Sequence, residues 1–191
     1  MGSGIAHAYL LAGHEVYLVE ANNEASISAR DRIKKLIQSS IDRGSDISLA
    51  EVSDRLTFLT KIDDLPTCRI AIEAVPEIPS LKNEVLGRLD SVLSKDAIIA
   101  SNTSSISINE LANSLRFPER FVGMHFFNPV RRWPIGLIIA RRSGDANHAQ
   151  TRWYLPLIFP CNQTWHFTIA MWTPVRKEYH HHCLLIGTWN Y

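Results

Sequence analysis

The chain has 191 residues, 46% hydrophobic and 20% charged, with a formal net charge of +1, a length for one domain with a real core or one domain plus part of another. Near-balanced charge excludes a bulk field for nucleic acid or an anionic membrane, and nine Gly and nine Pro exclude a collagen-like or disordered chain. Three scattered cysteines build no disulfide framework, and the lack of a basic leader or an apolar run of about 18 residues points to a cytoplasmic protein with no membrane span.

Up to Val130 helix and strand patterns alternate. Gly2 to Leu11 is expected as a helix with Ile5, Ala8 and Ala12 on one face, stopped at Gly13. Val16 to Glu20 is a short apolar run ending in an acid, the pattern of a buried strand. Asn22 to Arg43 is an amphipathic helix with Ala29, Ile33, Ile37 and Ile41 inward and Gly44 as its stop. Leu56 to Leu59 and Arg69 to Ala74 are strands. Pro79 then opens a helix that turns Leu81, Val85, Leu89 and Val92 inward. A strand at Ala97–Ala100, a short helix at Ile108–Ser114 and a strand at Arg120–Phe126 follow. Such alternation predicts a Rossmann-type α/β fold, a doubly wound, mostly parallel sheet with helices on both faces. Ligands of such sheets bind beyond the carboxyl ends of the strands.

After Val130 the pattern breaks. All five tryptophans and five of the eight histidines lie there, with only two of the nineteen acidic residues, Asp145 and Glu178. Apolar residues follow no strand or helix period for any useful length. The shift marks either a second domain or a change of reading frame, splice form or assembly, and the second reading is favoured. The expected organisation is therefore a domain at 1–130 and an atypical, irregular tail at 131–191. Within the tail, Cys161 and His180-His181-His182-Cys183 lack the i, i+4 or C-x-x-C spacing of ligands, so no metal site is expected. Its Arg131-Arg132 and Arg141-Arg142 pairs sit in no recognisable nucleic-acid module.

Polar residues collect at the expected ligand edge. Glu20 ends its strand where a dinucleotide fold places an acid on the adenosine ribose, favouring NAD over NADP; it is equally an ordinary loop acid. Ser101-Asn102-Thr103-Ser104-Ser105 either hydrogen-bonds a ligand or caps the next helix, with Ser107 and Glu110 spaced as a capping box. His125, in Gly123-Met124-His125-Phe126-Phe127-Asn128-Pro129, is either a satisfied core histidine or a general base near pH 7.

Met1-Gly2-Ser3-Gly4-Ile5-Ala6, Ser101-Asn102-Thr103-Ser104-Ser105 and His125-Phe126-Phe127-Asn128-Pro129-Val130 together resemble the L-3-hydroxyacyl-CoA dehydrogenases, of the 3-hydroxybutyryl-CoA dehydrogenase type, over residues 1 to about 130. The resemblance implies reversible NAD-dependent oxidation of a 3-hydroxyacyl-CoA to a 3-ketoacyl-CoA in fatty-acid or butanoate metabolism. It implies that His125 takes the hydroxyl proton while Ser104 and Asn128 hold the substrate oxygen. It assigns Glu77, Lys82 and Asn102 to the nicotinamide half of the cofactor, with Lys82 also reaching toward the CoA. Glu20 becomes the ribose acid, and Gly2 the fingerprint glycine where the pyrophosphate meets a helix N-terminus.

Three departures accompany the matches. The chain begins inside the glycine fingerprint, so the sheet is expected to lack the family's first strand. The family orients its catalytic histidine with a glutamate twelve residues further on, where this chain has Leu137. Its helical C-terminal domain, which closes the cleft and forms a homodimer, has no counterpart in 131–191. The expectation is a dehydrogenase domain with impaired turnover; the alternative is a non-catalytic, at most weakly nucleotide-binding, remnant of the family.

Overall fold

Short apolar runs between amphipathic helices dictate a layered arrangement, and the computed structural model has one. It describes residues 1–127, 130, 136–140 and 151–152. In chain order these form α1 (Gly2–Leu11), β1 (Val16–Val19), α2 (Asn23–Ile41), α3 (Leu49–Arg55), β2 (Leu56–Leu59), β3 (Ile70–Glu73) and α4 (Pro79–Val92). Then come β4 (Ile98–Ser101), α5 (Ile108–Ala112), β5 (Phe121–Phe126), β6 (Gly136–Ala140) and β7 (Thr151–Arg152).

The helix boundaries have local causes. Gly13, with φ +87°, turns the chain out of α1, and a residue with a Cβ would be strained there. Asn22 caps α2 by accepting the Ala25 N–H at 2.9 Å. The hydrophobic pattern gives no sign of α3, whose seven residues include only Val52 as a fully buried side chain. Its start is instead fixed by a reciprocal box: Ser48 accepts the Glu51 N–H, and Glu51 accepts the Ser48 N–H at 2.7 Å.

β1 and β2 pair in parallel, in register from Val16↔Leu56 to Val19↔Leu59. β3, β4 and β5 form the parallel part of a second sheet, to which β6 and β7 add antiparallel strands. The described strands thus divide between β1 and β3. Packing bridges that division on both faces. Val16 and Leu18 of β1 share a core with α1, α2, Ile72, Ala100 and Phe126. Val19 shares the other core with α4, α5, Ala71 and Ile99. Adjacent residues of one strand feed opposite cores, as the two-residue period of a strand requires.

Further strands join the sheet beyond Val130, and one expectation needs correction. β6 pairs with β5 over five positions, from Val122↔Ala140 to Phe126↔Gly136. Leu137-Ile138-Ile139-Ala140 is an uninterrupted apolar run, which periodicity cannot assign to strand or helix; pairing with the β5 edge assigns it. The correction concerns α4, whose buried face differs from its apolar stripe. Leu81 and Val92 are half-buried, whereas Lys82 and Asp90 lie inside with Val85, Leu86 and Leu89. Both charges find partners there, which makes their burial tolerable.

Candidate functional site

The carboxyl ends of β3, β4 and β5 lie side by side, and a hydrogen-bonded cluster joins them. Glu73, the last residue of β3, is 1% exposed. Its Oε1 accepts the Val75 N–H at 2.7 Å and Lys82 Nζ at 2.8 Å, and its Oε2 accepts the Ser101 hydroxyl at 2.5 Å. Lys82 comes from the first turn of α4, which Pro79 starts immediately after the loop that follows β3. Its ammonium also donates to the Val75 carbonyl at 3.2 Å and lies 3.3 Å from Glu77 Oε2. An ammonium has three donors. With three acceptors around it and a side chain that is 0% exposed, Lys82 is enclosed by protein.

Glu77 bridges this cluster to the serine-rich segment. Its Oε1 accepts the Thr103 hydroxyl at 2.5 Å and the backbone N–H groups of Ser104 and Ser105 at 2.8 and 3.0 Å. The Ser104 and Ser105 hydroxyls approach the same oxygen at 3.3 and 3.1 Å. Partial burial alone would raise the Glu77 pKa. The Thr103 hydroxyl, the Ser105 and Ser104 N–H groups and the Lys82 ammonium outweigh it and hold the carboxyl at about 2. The two roles expected for residues 101–105 divide between neighbours. Thr103 Oγ1 accepts the Ile106 N–H at 3.0 Å, and Ser107 caps α5 by accepting the Glu110 N–H at 3.4 Å, while Thr103–Ser105 clasp Glu77.

His125 reaches the cluster through Asn102. The Asn102 Oδ1 accepts the Phe126 N–H at 2.8 Å, which pins the end of β5 to the turn after β4 and leaves the amide NH₂ as the donor side of Asn102. The half-buried His125 ring packs edge-on against Phe127, with centroids 5.1 Å apart. Across the β5–β6 ladder the register partner of His125 is Leu137.

A second cluster lies at the start of α1. Gly2 is buried in its first turn, and Gly4 lets the helix approach Val130, whose Cγ2 would be 3.3 Å from an added Cβ. Glu20, 1% exposed, follows β1. Arg32 Nε donates to the Ser3 hydroxyl at 3.4 Å in the first turn of α1. Beside Glu20 opens a cavity of about 220 Å³, lined by Val19, Glu20, Ile62, Val75, Leu81 and Arg88 among others. Thr60, Lys61, Asp63, Glu73 and Glu84 share its wall with these residues, so charged and apolar groups both face it.

The fold therefore brings Glu77, Lys82 and Ser104 into one network, to which Asn102 is joined through its own N–H on the Glu73 carbonyl at 2.7 Å, with His125 one residue from the Phe126 N–H that Asn102 holds. It gathers Gly2 and Glu20 at the neighbouring strand end. Asn128 lies outside the described residues, as do the cysteine, histidine, tryptophan and arginine groups singled out in the tail. Sequence reading missed Glu73, which reads as one polar residue in a strand. The available signal was an acid at the end of an apolar run, followed nine residues later by a lysine in a helix's first turn. Among the described residues no three His, Cys, Asp or Glu side chains are grouped as metal ligands, and no helix is long and apolar enough to cross a membrane.

A parallel α/β sheet with an acid after β1 and a polar cluster at the ends of β3, β4 and β5 defines a dinucleotide-binding domain. Residues 1–152 match the family model for the 3-hydroxyacyl-CoA dehydrogenase NAD-binding domain, and the chain belongs to that family. It is 36% identical over 154 residues to the fatty acid oxidation complex subunit alpha of Pseudomonas putida, covering 79% of this chain and 22% of the relative. Identity to the same subunit of Idiomarina loihiensis is 35% over 161 residues, or 82% of this chain and 22% of the relative. Among solved structures, the (S)-3-hydroxybutyryl-CoA dehydrogenase of Ralstonia eutropha superposes with a TM-score of 0.68 at 35% identity, covering 73% of this chain and 50% of that one. The 3-hydroxybutyryl-CoA dehydrogenase of Escherichia coli gives 0.67 at 32% identity, covering 73% and 30%. The chain thus spans about a fifth of the length of its curated relatives and up to half of these structures.

Proposed function

We propose that this domain serves the NAD-dependent oxidation of a 3-hydroxyacyl-CoA to a 3-ketoacyl-CoA in the cytoplasm, with the acyl-CoA as its partner. The observation that carries the reading is the network joining Glu77, Lys82, Asn102 and the Ser104 turn at the strand ends, one residue from His125. In this reading Glu20 accepts the ribose hydroxyls, and the buried start of α1 at Gly2 faces the pyrophosphate. Glu77 and the Asn102 amide hold the nicotinamide half, with Lys82 fixing Glu77 from behind. Bound NAD supplies the hydride acceptor. His125 takes the hydroxyl proton, and Ser104 with Asn128 orients the substrate oxygen, so that C3 is held in reactive geometry.

One observation favours a second reading, a nucleotide-binding domain with little turnover. The position opposite His125 in the β5–β6 ladder is Leu137, so this backbone position offers the imidazole no carboxylate. An orienting acid fixes the tautomer of a catalytic histidine and supports its charged form; losing one costs on the order of 10⁴ in kcat in the serine-protease template. NADH binding followed by fluorescence, then acetoacetyl-CoA reduction, tests both readings. Saturable binding with slow turnover, raised at least about tenfold by Leu137→Glu, is the expected result. Failure to bind NADH overturns the functional reading. Fast turnover by the parent chain overturns the impairment.

A further inference from the structure

The mechanism leaves Glu73 without a task. The cluster it belongs to holds two carboxylates, Glu73 and Glu77, and one ammonium, Lys82. Lys82 lies 2.8 Å from Glu73 and 3.3 Å from Glu77. The Glu73 side chain is 0% exposed, whereas that of Glu77 is 33% exposed. The closer and fully enclosed pair neutralises itself, so the remaining unit of negative charge falls on Glu77, at the open end of the cluster. The fixed dipoles of the Ser104 and Ser105 N–H groups hold it in place there.

We propose that Glu73 sets the charge of the cofactor cleft: by pairing with Lys82 it leaves Glu77 net negative, and the site thereby favours the oxidised cofactor, whose nicotinamide ring is cationic, over the neutral reduced ring. This rests on the assignment of NAD to the cleft made above. The two cofactor forms differ by one charge at the ring and share the rest of their contacts. A residue that only shapes the site therefore changes both affinities together. A residue that sets the charge changes their ratio. One unit of charge a few ångströms from the ring changes that ratio by about threefold to tenfold even under the screening of bulk water.

The experiment uses the full chain at low salt. NADH binding is read by fluorescence and NAD⁺ by competition against it, and folding is checked by circular dichroism. Glu73→Gln keeps an acceptor oxygen but leaves Lys82 to neutralise Glu77. It is expected to raise the ratio of the NAD⁺ to the NADH dissociation constant by about threefold to tenfold. The double variant Glu73→Gln with Lys82→Met removes both enclosed charges and is expected to return the ratio to within about twofold of the parent. Equal weakening of both forms in Glu73→Gln overturns the proposal and leaves the residue a structural one. If that single variant does not fold, Lys82→Met alone, which leaves both carboxylates without their cation, is expected to lower the ratio, and an unmoved ratio there overturns the proposal. A parent chain that binds neither form overturns the functional reading, and this proposal with it. Binding of both forms with an unmoved ratio overturns this proposal alone.

Discussion

At Glu77, burial and hydrogen bonding act in opposite directions, and hydrogen bonding wins. The carboxyl's ordinary value of 4.5 is raised by burial but brought down to about 2 by the Thr103 hydroxyl, the Ser105 and Ser104 N–H groups and Lys82. A carboxyl with a depressed folded-state pKa contributes stability that is fully present above its unfolded value and is lost as pH falls through the folded one. The Glu77 contribution is therefore complete above 4.5 and disappears between 4.5 and about 2. Thermal melts across that range are expected to show a steeper fall in Tm for the parent chain than for Glu77→Gln. Parallel curves would refute the assignment. Family resemblance makes Glu77 visible as a candidate in the sequence. The clasp by Thr103–Ser105 is not visible there, because it joins residues 26 to 28 positions apart.

At the scale of elements, α4 shows how an amphipathic pattern can locate a helix and still misjudge its buried face. Spacing places Leu81, Val85, Leu89 and Val92 on one stripe, yet Asp90 is also enclosed. Burial raises the Asp90 pKa, but Arg120 and Arg116 reverse the effect and the net shift is downward. Its Oδ2 accepts the Arg116 N–H at 2.7 Å and its Oδ1 accepts Arg120 Nη2 at 2.8 Å. Arg120 also donates to the Ser94 and Ala97 carbonyls, so one ion pair ties the end of α4 to the entry of β5. Removing one partner of a buried pair strands the other and costs about 3–5 kcal/mol. Asp90→Ala is expected to lose about 3 kcal/mol in urea unfolding; a loss under about 1 kcal/mol would place the pair among exposed ones.

Across the whole molecule, stability depends on two cores that each bridge the separated sheets. Leu18 is 0% exposed and packs in the core that joins β1 to β3, β4 and β5. Leu18→Ala is expected to cost about 2–5 kcal/mol and to lower the melting of both sheets together, as a single transition. Amide exchange that protects β3–β5 unchanged while β1 and β2 open would show the sheets to be energetically independent.

The amino-acid sequence by itself determined where most elements begin and end, since apolar period, Asn and Pro at helix starts and Gly at helix ends act over a few residues. It also carried the family, through Ser101–Ser105 and His125–Val130. Tertiary structure alone decided which charges meet: Glu73 with Lys82, Asp90 with Arg120, Glu77 with the Ser104 turn. It likewise placed Leu137 opposite His125 by adding β6 to the sheet beyond Val130. The reason is physical. A buried charge is tolerable only beside its partner, and these partners meet through the packing of strands and helices, to which local periodicity is blind.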